Sequence, residues 1–370
     1  MNTEVYEVVD KSGGHLARNN REDIYFQVAI VIVTFCNPGD VVASLRSLGQ
    51  AHSRPSFEIF ISENGGSVAM DALVSALLGP NGCCDCSRGL ATANDIPDMV
   101  RRAQFRLMDQ NRNPVARVHV GQMRDNLGYA GGINAWLREL LQLPGWGAVW
   151  ILNPDTQVMP SALEELATHS VRYAKGMVGS RLVGPKYPDR VHSRGLRWRK
   201  LMADTLAVDY LSPIDPAPDP EDINRRIDAP SGASCYVTRN LIEQIGLMDE
   251  NYFLYYEDLE WGYRAKAFGG VGYAHSSIVF HEGGTTIGTG PTRATRSALA
   301  VYLEFRNRIL FVRNHHRRWL AWTILMQFAH AATFGAAGAF VNLRFAFLGL
   351  LAGILGETGR PHRVSKLARR

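Results

Sequence analysis

The stretch Val28 to Phe35 is an unbroken, β-branched apolar run of strand length. It ends at Asn37-Pro38-Gly39, and Val41, Val42, Leu45 and Leu48 follow at helical spacing. An apolar run without polar alternation predicts a strand buried on both faces, the condition of a parallel sheet covered by helices. The arrangement recurs. Phe57 to Ser62 leads through Asn64-Gly65-Gly66 into a helix reaching Leu78; Arg117 to Gly121, Ala148 to Leu152 and Met177 to Val183 supply three further strands, with helical segments near 131–142 and 160–174. Strands alternating with helices mean βαβ units. The fold class is therefore α/β, with a Rossmann-like, mostly parallel sheet that binds ligands at the carboxyl ends of its strands.

Residues 80–113 interrupt the alternation. Cys83-Cys84-Asp85-Cys86 precede a charged stretch, Pro97 to Gln110, that reads as helical. No second Cys or His pair stands at zinc-ligand spacing, so the segment reads as a surface insertion with free thiols. Beyond 184 the pattern is irregular, and Pro213 to Asp222 is a stiff acidic loop. Order returns at Ser231 to Val237, at a helix from Arg239 to Gly246, at the acidic cluster 249–260 and at a strand near Ile278. The expected organisation is a loose arm over 1–25, a catalytic domain over 26–300 and a basic, apolar helical tail over 301–370. Within the domain, a donor half spans about 26–183 and an acceptor half about 184–300.

Charge separates these parts. The net +5 resolves into +9 for residues 301–370 and −4 for the first 300. Basicity confined to a tail excludes a general nucleic-acid binder, whose cations would line a groove of the folded domain. Five unevenly spread cysteines and an N-terminus lacking an apolar run after a basic start point to a reducing, cytoplasmic setting.

Four segments carry chemistry. Asn126-Leu127-Gly128-Tyr129-Ala130-Gly131-Gly132-Ile133-Asn134 opens a helix just after the third strand: either a phosphate cradle at a helix N-terminus or a tight strand-to-helix turn. Trp150 to Thr156 delivers Asp155 at the carboxyl end of a buried strand, where it could bind Mg2+ or Mn2+ beside substrate phosphates, or cap the helix near Pro160. Asn251 to Trp261 sets Glu257, Asp258 and Glu260 among five aromatics, with Arg264 on the helical face of Glu257 and Glu260. These acids either face a cleft, where desolvation would raise a carboxylate's pKa and suit it to act as a base, or simply favour a helix start. Phe280-His281-Glu282-Gly283-Gly284 adds a single histidine, weighty only in company.

In this order and at these separations, the segments resemble the family 2 inverting glycosyltransferases of the GT-A fold, especially the bacterial rhamnosyltransferase-like branch, over about 28–315. Ile32 to Phe35 with Asn37, Glu63 to Ser67, and Tyr302 to Arg313 join the resemblance. It implies that Thr34 and Glu63 line the nucleotide's base and ribose, with Asn37 in the same donor site. Asn126, Gly128, Gly131, Asn134 and Asn153 would complete the donor site, and Asp155 and His281 would serve Mg2+ or Mn2+. Asp258 would deprotonate the acceptor, with Glu257 positioning it. Three departures stand out: Glu63 and Glu260 occupy places where Asp is common, and Asn153 occupies the first acid position of the metal motif, leaving Asp155 as its one strong ligand. The implied partners are a dTDP- or UDP-type sugar donor and a glycan or lipid-linked glycan acceptor. A sugar nucleotidyltransferase would need a basic, Gly-rich loop after the first strand, and Phe35 to Asp40 has no Lys or Arg; a non-catalytic scaffold would not need Asp155, Glu257 and Asp258.

In the tail, Arg306, Arg308 and Arg313 form a basic helix, and Trp319 to Leu343 carry no formal charge. That length permits a span, yet Gln327, His330, Asn342 and the flanking cations favour an interfacial or re-entrant anchor on an anionic membrane surface. The third reading is an apolar helix docked on the catalytic domain or on a second subunit, giving a homodimer. Peripheral attachment to the inner face of the cell membrane is the expectation.

Overall fold

A computed structural model describes residues 26–361 except 53, 94–95, 185 and 282–291. The expected N-terminal arm, the glycines following His281 and the basic end from 362 lie outside the described residues.

The chain runs β1 (Val28–Thr34), α1 (Pro38–Leu48), β2 (Phe57–Glu63), α2 (Ser67–Leu78), β3 (Cys84–Thr92), β4 (Met99–Met108), β5 (Pro114–Met123), α3 (Gly128–Leu141), β6 (Ala148–Leu152), β7 (Thr156–Val158), α4 (Ala162–Arg172) and β8 (Met177–Gly184). It continues through β9 (Tyr187–Ser193), β10 (Leu196–Arg199), β11 (Asp204–Ala207), α5 (Pro220–Arg226), β12 (Ser234–Thr238), α6 (Arg239–Ile245), α7 (Glu257–Lys266), β13 (Val271–His281), α8 (Ala298–His315), α9 (Leu320–Ala336) and α10 (Phe340–Leu355). The main sheet is ordered β3-β4-β5-β2-β1-β6-β12-β8-β13-β7, with β9 on β8. Its centre is parallel, β5-β2-β1-β6, as is β8-β13, whereas β12 runs antiparallel between β6 and β8.

Every residue of β1 is buried. Alternate side chains supply two cores: Ile30 and Ile32 pack with Val41, Leu45, Leu73 and Leu163 on one face, and Val31 and Val33 with Ile133, Trp136 and Leu241 on the other. At about 1.5–3 kcal/mol per fully buried aliphatic side chain, such two-sided burial fixes β1 as the spine of the sheet. The α/β class expected from the alternation is the one observed.

The insertion differs from expectation. Pro97 to Gln110 forms no helix; β4 pairs antiparallel with β3 and β5 and extends the sheet. The signal was the period-two series Ala103, Phe105 and Leu107, all buried, which Arg101, Arg102 and Arg106 obscured. Cys83 and Cys84 are buried in the core beneath this edge, and Cys86 alone of the three is exposed. The acidic loop from Pro213 is also shorter than expected, because Asp219 accepts a hydrogen bond from the Glu221 amide and caps α5.

The C-terminal helices pack onto the body. α8 places Leu310, Phe311 and Val312 in a core with Trp198, Tyr252, Tyr256 and Leu259. α10 crosses α8 closely: a Cβ on Gly349 would come within 2.2 Å of the Tyr302 carbonyl oxygen. The uncharged stretch breaks at Gly338, whose φ of +70° turns α9 back into α10. Among the described residues no helix is long and apolar enough to cross a membrane.

Candidate active site

The site forms where strand ends meet the loop ahead of α7. Asn153, Pro154 and Asp155 follow β6, and β7 then pairs antiparallel with the end of β13, setting Thr156 opposite His281. This register brings His281 Nε2 to 3.3 Å from Asp155 Oδ1 and 3.2 Å from Asn153 Nδ2. His192 stacks on His281, their rings 5.8 Å apart, and burial followed by the His281 charge lowers the His192 pKa.

Asn153 and His281 share a cavity of about 490 Å³ with Tyr129, Gly232, Glu257 and Asp258. Asp258 is the first-turn acid best placed for chemistry. Its Oδ2 accepts from the Gly232 amide at 2.9 Å and its Oδ1 from the Leu259 amide at 2.8 Å. Burial raises its pKa, and these backbone donors restrain the rise. Tyr129 donates to the Gly232 carbonyl at 2.7 Å, so one glycine links the start of α3 to the carboxylate. Glu257 is buried with Oε2 lacking a hydrogen-bond partner, and its pKa stands well above the ordinary carboxylate range because of burial and then the Asp258 charge. Glu260 faces elsewhere, paired with Arg264 at 2.7 Å.

The loop presenting these acids is tightly wound: Phe253, Tyr255 and Tyr256 all have positive φ, between 64° and 75°. Non-glycine residues hold that conformation only when their surroundings impose it, at about 1–3 kcal/mol each. α8 imposes it here. Buried Asn307 donates to the carbonyls of Tyr252, Leu254 and Tyr255 at 2.8–2.9 Å, and buried Arg306 donates to Tyr252 O at 2.9 Å. Sequence reading assigned this helix to the tail and missed Asn307, which carries no motif; Gly232 and Tyr129 also went unassigned as functional residues.

The remaining expected residues form two further groups. Thr34 and Glu63 are register partners at the ends of β1 and β2. Thr34 donates to Asn37 Oδ1. Glu63 accepts from the Cys36 and Gly65 amides through Oε1, at 3.3 and 2.6 Å, while buried Oε2 lacks a partner, and burial raises its pKa. Along α3, Asn126 accepts from the Gly128 amide at 2.9 Å. The glycines there serve packing: a Cβ at Gly128 would sit 2.2 Å from Phe253 O, and one at Gly131 would sit 2.8 Å from the Leu127 Cβ. Asn134 is committed to structure, with its amide bonded to Met248 through both main-chain groups and to Glu250.

The donor set also bears on a cation. Among the described residues no three His, Cys, Asp or Glu side chains cluster to hold a metal. Asp155 and His281, with Asn153 beside them, instead offer the partial set suited to Mg2+ or Mn2+ that shares its coordination with substrate phosphates.

No family model matches the chain. It is 25% identical over 295 residues to the low-salt glycan biosynthesis hexosyltransferase Agl10 of Haloferax volcanii, covering 73% of this chain and 90% of that protein. It is 26% identical over 293 residues to the N-acetylglucosaminyl-diphospho-decaprenol L-rhamnosyltransferase of Mycobacterium tuberculosis, covering 73% and 85%. Among solved structures, the Pyrobaculum calidifontis mannosyltransferase PcManGT, in complex with GDP-Man and Mn2+, overlays with a TM-score of 0.47 at 10% identity, covering 89% of this chain and 88% of that one.

Proposed function

We propose that the chain, similar to a hexosyltransferase and an L-rhamnosyltransferase, is a metal-dependent inverting glycosyltransferase of the GT-A fold in the family 2, rhamnosyltransferase-like group. It moves a sugar, rhamnose being favoured, from a dTDP- or UDP-type donor to a hydroxyl of a lipid-linked glycan of the cell envelope. The observation that carries this reading is the shared cavity. On its wall stand Asp258, a carboxylate with a raised pKa, and the Asn153 and His281 side chains that neighbour Asp155.

In the proposed step Asp258 takes the proton of the acceptor hydroxyl. The acceptor oxygen bonds to the anomeric carbon while the bond from that carbon to the phosphate oxygen breaks, and the nucleoside diphosphate leaves. One displacement inverts the centre and needs no covalent nucleophile. The Gly232 amide keeps Asp258 oriented. Glu257, whose burial and neighbouring Asp258 charge favour its neutral form, limits the negative charge beside the base. Asp155 and His281 would hold Mg2+ or Mn2+, which when bound neutralises charge on the donor diphosphate. Thr34, Asn37 and Glu63 would face the base and ribose.

Peripheral membrane attachment is part of the proposal. Leu325, Phe328, Leu351 and Leu355 are exposed on α9 and α10, with Arg317, Arg318 and Arg344 on the same helical hairpin or at its start. The lipid-linked substrate named for the mycobacterial relative supports the same placement.

A screen of nucleotide sugars with Mg2+ or Mn2+, read as donor turnover and thermal stabilisation, tests the reading. Turnover of one dTDP- or UDP-sugar is expected; stabilisation by none of them, with no turnover, overturns it.

A further inference from the structure

Tyr129 reaches Asp258 from two directions. Its hydroxyl donates to the Gly232 carbonyl at 2.7 Å, and the Gly232 amide in turn donates to Asp258 Oδ2 at 2.9 Å. Its own amide donates to the Phe253 carbonyl at 2.7 Å, in the tightly wound loop that leads to the acids. One residue at the start of α3 therefore braces both the backbone ahead of Asp258 and the amide that meets its carboxylate. Tyr129, Gly232 and Asp258 all stand in the cavity wall.

Gly232 fits between the other two because it has no side chain. A Cβ there would come within 3.2 Å of Asp258 Oδ2 and 3.5 Å of Tyr129 Cε1. The turn that carries it is short: the Ser234 amide donates to the Ser231 carbonyl at 3.1 Å, and the Ala233 carbonyl accepts from the Asn153 amide at 3.2 Å. Among the described residues the Gly232 carbonyl has one donor, the Tyr129 hydroxyl. That hydroxyl remains protonated at neutral pH, because burial, followed by the charges of Glu257 and Asp258, holds its pKa well above the ordinary tyrosine range. Glu257 adjoins Asp258 on α7, and Cys235 lies near it on β12, kept neutral by burial. Tyr129→Phe thus removes a hydrogen bond and no charge.

We propose that Tyr129 is a positioning residue for Asp258: its hydroxyl anchors the Gly232 turn, which keeps the Gly232 amide on Oδ2 and the carboxylate in one orientation toward the cavity. The inference rests on the reading of Asp258 as the base and adds what holds that base in place. An amide donating to a carboxylate favours its charged form, so slackening that bond makes the acid harder to ionise.

The test is a titration that needs no turnover, so it reports even if no nucleotide sugar is consumed. In the full chain labelled with 13C at its aspartate carboxyls, the resonance that disappears in Asp258→Asn belongs to Asp258, and its chemical shift is followed with pH. Tyr129→Phe is expected to raise the midpoint by about 0.5 pH or more. An unmoved or lowered midpoint overturns the proposal, and a fall in melting temperature without a change of midpoint would make Tyr129 a packing residue only. Gly232→Ala, which presses a Cβ against Oδ2, is expected to raise the midpoint as well; should Tyr129→Phe not fold, an unmoved midpoint in Gly232→Ala overturns the proposal on its own. With a donor sugar in hand, Tyr129→Phe is expected to lower kcat about tenfold at unchanged donor Kd and to shift the acid limb of the rate profile upward. Unchanged kcat with the limb in place would overturn the positioning role, whereas absence of turnover with every sugar would count against the transfer reading and leave the titration to decide.

Discussion

Asn307 donates to the Tyr255 carbonyl at 2.8 Å, and through this bond a helix of the C-terminal region fixes the residue two positions ahead of Glu257. Two more carbonyls of the same loop, those of Tyr252 and Leu254, end on the same side-chain amide. The pose of the acids is therefore set from α8.

Asn307→Ala leaves these carbonyls without their donor in a buried setting. A loss of about 1–3 kcal/mol in stability is expected, with a fall in kcat larger than any change in donor affinity. Asn307→Asp, similar in shape but without the donors, is expected not to rescue. Denaturant unfolding together with steady-state kinetics checks both, and an unaltered kcat would separate the loop from catalysis.

Asp258→Asn is expected to lower transfer by about 10²–10⁴-fold while nucleotide binding persists. Because burial raises the Asp258 pKa, the acid limb of the wild-type rate profile is expected above the ordinary value of 3.8, with activity falling as pH drops through it. A profile flat down to pH 4 would remove Asp258 as the base.

Glu257→Gln probes the buried neighbour. Its carboxyl is raised in the fold above the ordinary 4.5, so its contribution to stability is fully present below that pH and is lost as pH rises through the folded value. The glutamine variant should gain stability relative to wild type as pH increases, by on the order of 1 kcal/mol. Melting temperatures across pH 4–9 give the answer; a difference that does not grow with pH would mean that Glu257 titrates normally.

Asp155→Ala is expected to weaken cation-dependent donor binding about tenfold or more, since Asp155 is the single carboxylate in that partial ligand set. Calorimetry with dTDP or UDP, with and without Mn2+, measures the effect. Full activity in EDTA would refute a role for the cation.

Leu325 and Leu351 are 59% and 52% exposed, so Leu325→Ser with Leu351→Ser should leave the melting temperature unchanged. Sedimentation with anionic vesicles is expected to fall several-fold, and wild-type binding to weaken as salt rises. Equal sedimentation of the double variant would move the attachment elsewhere.

The strands β1 and β6 were legible because a strand buried on both faces writes itself as a continuous apolar run, β2, β5 and β8 from their places in the strand–helix alternation, and α1 to α4 because helical periodicity is local. Asp155 and Asp258 were singled out as candidates by motif order. β4 was not, since Arg101, Arg102 and Arg106 masked its alternation. Nor could spacing show that His281 stands beside Asp155, because the β7–β13 register is set by backbone hydrogen bonds between distant segments. The tail shows the division most clearly. Its composition fixed a basic, apolar character, but a side chain's type does not say whether it faces water, lipid or core. Only packing put Arg306 and Asn307 inside against the loop of Glu257, left Arg308 open to the cavity and turned the uncharged stretch back at Gly338, because burial and charge pairing depend on neighbours brought together by the whole fold.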